Sequence, residues 1–93
     1  MKQKFELGEV LITKGVNSLL VNKTLLKNNL YEFLQRHSSG DWGNVCDEDK
    51  EENNYSIDNN LRILSSYNYG TSKIWIITEA DRSSTTVLLP KEY

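Results

Sequence analysis

Lys73-Ile74-Trp75-Ile76-Ile77-Thr78-Glu79, Ala80-Asp81-Arg82-Ser83-Ser84 and Thr85-Thr86-Val87-Leu88-Leu89-Pro90 follow one another, and their reading decides the fold. The outer two runs are rich in β-branched and aromatic residues, and the linker is small or charged, so the stretch reads as a β-hairpin. Along the first run Ile74, Ile76 and Thr78 share one face, while Trp75, Ile77 and Glu79 share the other. A strand apolar on both faces belongs inside a sheet, with cover on each side.

Working backward, Leu61–Tyr69 alternates as a strand, and Gly70-Thr71-Ser72 turns it into the Lys73 run. The C-terminal third is therefore a three-strand meander. Near the start, Phe5–Thr13 alternates imperfectly and predicts an edge strand over Glu9–Thr13. Val16–Val21 reads as a helical turn or two. Between these lie two main helices. In the first, Thr24 is the expected cap, Leu26, Leu30, Phe33, Leu34 and His37 recur at helical spacing, and Ser39-Gly40 is the stop. In the second, Asp47 is the expected cap of Glu48–Asn59, with Tyr55 and Asp58 inward, and Asn53 is expected to make a side-chain hydrogen bond. The order predicts an α+β fold: two main helices on a three- or four-stranded antiparallel sheet, with 1–93 forming a single compact domain.

The totals narrow the function. A length of 93 residues allows one core. A net charge of −2 argues against nucleic-acid binding by bulk electrostatics. One cysteine, Cys46, excludes an internal disulfide and suits a reducing, cytoplasmic setting. No apolar run approaches a membrane span, and the start Met1-Lys2-Gln3-Lys4-Phe5-Glu6 has no apolar signal core, so neither an anchor nor a signal peptide is expected. The charge is uneven: residues 1–45 carry +2 and residues 46–93 carry −4, most of the deficit lying in Asp47-Glu48-Asp49-Lys50-Glu51-Glu52. That run complements a helix dipole, and it also suits a basic partner surface.

No phosphate loop, paired-cysteine zinc site or nucleophile elbow is present. The residual enzymatic reading is a metal-assisted hydrolase or nuclease assembled from His37, Asp41, Glu79 and Asp81. Against it stand plain structural roles: His37 packed in a last helical turn, Asp81 as a turn residue, and Arg62 and Arg82 in surface ion pairs. Trp42, bracketed by Gly40 and Gly43, plugs the core from a loop or, if exposed, marks a binding hot spot.

His37-Ser38-Ser39-Gly40-Asp41-Trp42-Gly43, Asp49-Lys50-x-x-Asn53, Arg62-Ile63-Leu64-Ser65-x-Tyr67 and the run from Lys73 to Tyr93 together resemble a family of small "plasmid-related" proteins of bacterial plasmids, phages and integrative elements. The resemblance spans nearly the whole chain from Phe5. It implies an accessory, anti-defence role of the anti-CRISPR or anti-restriction type: a cytoplasmic inhibitor without cofactor or membrane anchor, bound to a protein effector and not to nucleic acid. The expected contact positions are Asp41, Trp42, Asp47, Glu48, Asp49, Glu51, Glu52, Asp81 and Arg82. A third reading is a self-associating module that extends its sheet through the Glu9–Thr13 edge into a homodimer.

Overall fold

The Ile74–Ile76 segment sits where a doubly apolar strand must sit. In the computed structural model, which describes residues 2–93, the elements run β1 (Glu9–Ile12), α1 (Lys14–Val21), α2 (Lys27–Ser38), α3 (Asp47–Asn59), β2 (Ile63–Tyr69), β3 (Ser72–Thr78) and β4 (Ser84–Leu88), closed by a 3₁₀ turn at Pro90–Glu92. The sheet order is β1-β4-β3-β2, so β3 is interior. β2, β3 and β4 form the antiparallel meander, with Ile63 opposite Thr78 and Ile76 opposite Val87. β1 joins β4 in parallel, pairing Glu9 with Ser84 and Ile12 with Val87, which makes the α+β sheet mixed rather than wholly antiparallel. A parallel neighbour requires a crossover, and here the three helices and the meander lie between the two strands.

One sheet face carries the main core. Ile63, Ser65 and Tyr67 from β2, Ile74, Ile76 and Thr78 from β3, and Thr85 and Val87 from β4 are all fully buried. Phe33 of α2 stacks on Tyr67 with ring centroids 5.0 Å apart, and Val16 of α1 and Leu25 join the same cluster. The opposite face is only partly covered. There Tyr93 meets Trp75 edge-on, and Trp75 remains half-buried. A second cluster of Phe5, Trp42 and Ile63 closes the other end.

The helix boundaries and faces differ from expectation for identifiable reasons. α2 starts at Lys27 with Leu26 as its N-cap, not at Thr24. The Asn22 carboxamide accepts the Thr24 N–H, Lys23 takes φ +63°, and Leu25 is buried, so the chain turns two residues longer. Leu26 is consequently exposed. α3 begins at Asp47 with Cys46 as its cap. Its buried side chains are Asn53 and Ser56, whereas Tyr55 and Asp58 are exposed. This helix packs on the rim of β2 mainly through the polar Asn53 and Ser56, with Ile57 alone meeting the Trp42 cluster, so a search for an apolar stripe selects the wrong face. α1 is a full helix, capped by the Thr13 hydroxyl and tied to the chain end, where Glu92 accepts from Thr13 Oγ1 at 2.6 Å and from Gly15 N at 2.9 Å.

Candidate interaction surface

His37 is fully buried, and both ring nitrogens are occupied. Nδ1 lies 2.5 Å from Ser65 Oγ and Nε2 lies 2.8 Å from Thr78 Oγ1. Thr78 Oγ1 is 2.8 Å from Thr85 Oγ1, and the Thr85 hydroxyl donates to the Leu7 carbonyl at 2.7 Å. Since that carbonyl can only accept, Thr85 accepts from Thr78 and Thr78 accepts from His37 Nε2–H, which leaves Nδ1 to pair with Ser65. Burial, and secondarily the Arg82 charge, lowers the imidazole pKa to about 3 and keeps the ring neutral, so Nδ1 accepts from the Ser65 hydroxyl. Phe5 and Trp42 contact the ring edge-on. His37 is a buttress joining α2 to three strands. Sequence periodicity found His37; its hydroxyl partners Ser65, Thr78 and Thr85 carry no comparable signal.

The remaining members of the hydrolytic constellation are held apart by partners of their own. Asp41 pairs with Arg36 at 2.7 Å, and that hydrogen bond holds its carboxyl below the usual range. Glu79 pairs with Arg62 at 3.1 Å. Asp81 accepts from the Ser83 N–H at 3.0 Å, closing a turn. Among the described residues no three His, Cys, Asp or Glu side chains lie together in a metal-holding group.

The loop Gly40–Asn44 is fixed from several sides. The Tyr67 hydroxyl donates to the Asp41 carbonyl at 2.7 Å, and Arg36 stacks over the Tyr67 ring. Trp42 is 4% exposed, with its indole N–H on Asn54 Oδ1 at 3.0 Å. It plugs the core, which removes it from the expected contact positions. Gly43 takes φ +73°, and a Cβ there would fall on the Ser66 carbonyl and the Tyr67 ring, so only glycine fits.

Arg82 is also more structural than expected. At φ +61° its guanidinium donates to the carbonyls of Ser56, Leu61, Glu79 and Ala80, at 2.7, 2.7, 3.0 and 3.2 Å. It forms no ion pair among the described residues; it pins the β3–β4 turn to the end of α3. Arg62, by contrast, makes the ion pair expected of it.

Of the expected contact positions, Asp41 and Asp81 are exposed but engaged by Arg36 and by the Ser83 N–H, and the acidic residues of α3 are exposed as a group. Asp47, Glu48, Asp49, Glu51 and Glu52 are all exposed. The helix holds six acidic residues and one lysine, a net −5, against +3 for the rest of the chain. Both ion pairs among the described residues lie elsewhere. Tyr55, expected to face inward, is 61% exposed and shares a shallow depression of about 470 Å³ with Glu48, Glu51 and Glu52. An exposed aromatic beside carboxylates can receive a cation: the ring face attracts a guanidinium or ammonium, and the carboxylates can bond it. Nothing in the sequence pattern distinguished Tyr55 from a core aromatic.

Comparison with protein-family models, with curated proteins and with solved structures gave no match. No helix among the described residues is long and apolar enough to cross a membrane.

Proposed function

We propose that the protein is a mobile-element accessory factor, acting in the cytoplasm, that binds and inhibits a bacterial defence nuclease of the CRISPR–Cas or restriction type. The single observation that supports this reading most is the exposed Tyr55 set among Glu48, Glu51 and Glu52 on a helix of net −5. A nuclease holds nucleic acid on lysine- and arginine-rich surfaces. Such a surface offers arginines to stack on Tyr55 and cations to face the carboxylates, and α3, about 20 Å long, would occupy it in place of a phosphate backbone. The sequence resemblance to plasmid-related proteins supports the same reading. Inhibition of this kind needs no cofactor and no catalytic group, only occupancy.

Electrostatic complementarity acts mainly on the association rate. Binding should therefore weaken as salt rises, and reversing Glu48, Glu51 and Glu52 to Lys should slow association by about tenfold or more. An association rate to the nuclease indifferent to both salt and reversal removes α3 from the interface.

A further inference from the structure

The two edges of the sheet are finished in opposite ways. On β2 the outward backbone groups belong to Leu64, Ser66 and Asn68, and side chains and loop cover them in turn. Asn53 bonds both the N–H and the C=O of Leu64; Ser66 N–H donates to the Trp42 carbonyl, and its own carbonyl accepts from Asn44; Asn68 N–H donates to Asn44 Oδ1. On β1 nothing comparable exists among the described residues. Glu9 and Thr13 turn their N–H groups to β4, bonding Ser83 and Val87 at 3.0 Å each. Strand alternation then turns the N–H and C=O of Val10 and Ile12 away from the sheet. Val10, Leu11 and Ile12 are 44%, 43% and 39% exposed. The strand has no proline and no lysine, the residues that ordinarily guard an edge.

We infer that this edge is an interface, and that its occupant is β1 of a second copy of the chain, running antiparallel, so that the sheets join across a two-fold axis. The inference is independent of the nuclease reading. The outward groups fix the register. Val10 pairs with Ile12 of the second copy and exchanges both backbone hydrogen bonds with it, Ile12 does the same with Val10, and Leu11 meets its own copy on the axis. Leu11 then covers Leu11 on one face, while Val10 and Ile12 cover their counterparts on the other. Charge and symmetry select the antiparallel sense. It sets Glu9 opposite Thr13, next to Lys14 of the second copy, whereas a parallel ladder between the same outward groups would be offset by one residue and break the two-fold symmetry. All these side chains are exposed or half-buried in the single chain, so they are available without rearrangement.

The test combines sedimentation with register-specific cross-linking. Wild-type protein should pass from monomer to dimer as concentration rises through the micromolar range, and Ile12→Lys should stay monomeric while keeping its circular dichroism spectrum. In a Cys46→Ser background, Leu11→Cys should oxidise to a covalent dimer, because the axial residues face each other at about 4.5 Å between Cα atoms, within the span of a disulfide. Glu9→Cys, about 13 Å from its copy at about 3.3 Å per residue, should not. A protein monomeric at every concentration overturns the proposal, as does a dimer unaffected by Ile12→Lys. Equal cross-linking at positions 9 and 11 overturns the register.

Discussion

The Asn53 side chain is bonded twice to the backbone of Leu64: Nδ2 donates to the Leu64 carbonyl at 2.7 Å, and the Leu64 N–H donates to Oδ1 at 3.2 Å. The carboxamide thereby substitutes for a neighbouring strand and docks α3 on the rim of β2. Asn53→Ala should cost about 2–3 kcal/mol, for two bonds lost and two backbone groups left under a half-closed site. Urea unfolding would show it as a lowered midpoint with an unchanged slope. Amide exchange at Leu64 should quicken more than at Ile76. A neutral Asn53→Ala would mean that α3 is held by something other than this pair.

Arg82 and Asp81 adjoin in sequence but have unequal duties. Arg82→Lys keeps the charge and loses the fork that reaches four carbonyls, so it should cost about 2 kcal/mol of stability. Asp81→Ala removes one exposed turn contact and should leave the melting temperature almost unchanged. Thermal melts of the two variants, side by side, measure the difference. Equal, negligible losses would return Arg82 to the surface role its sequence position suggested.

His37 gives the fold a pH dependence whose sign follows from its lowered pKa. The unfolded histidine takes a proton near its ordinary value of 6.5, whereas the folded one resists until about 3. Its contribution is complete above 6.5 and is lost as the pH falls, by up to about 1.4 kcal/mol per pH unit. Between about pH 6.5 and 5.5, above the ordinary carboxylate range, the difference between wild type and a His37 variant isolates the imidazole. His37→Asn should be less stable at neutral pH and nearly flat across that window; an unchanged slope would place the pH dependence elsewhere.

Gly43→Ala should be severely damaging, costing at least about 3 kcal/mol or preventing folding. The added carbon meets the Ser66 carbonyl at a backbone angle that alanine resists. Gly70→Ala, at φ +61° but with open space around it, separates strain from collision and should be markedly milder. Equal melting temperatures for the two variants would contradict the collision.

The parts of the fold legible in sequence are those set by local pattern. Ile74, Ile76 and Trp75 announced an interior strand because apolar residues on both faces have no other stable place, and the meander followed from short turns. Phe33 and His37 were found by helical spacing, and Asn53 by being an amide out of place in a charged helix. The parallel seat of β1 beside β4 was hidden, because it joins segments more than seventy residues apart and is written in backbone bonds rather than side-chain types. Trp42 was undecidable between plug and hot spot, since the choice depends on Phe5 and Asn54 arriving from elsewhere. Arg82 misled because its four acceptors are carbonyls, which every residue has. Tyr55 was misplaced because α3 turns a polar face inward, which leaves its aromatic outside.

The proposed function has the acidic face of α3, with Tyr55 at its middle, occupying a basic nuclease surface. It is tested most directly by measuring cleavage by a defence nuclease recovered with the tagged chain, as purified protein is titrated in. The wild type should abolish cleavage near stoichiometry, Tyr55→Ala should need about tenfold more protein, and the triple Glu48, Glu51, Glu52→Lys variant should fail at matched folding. Cleavage that persists with saturating wild-type protein, or that the triple variant blocks equally well, would rule out inhibition through α3.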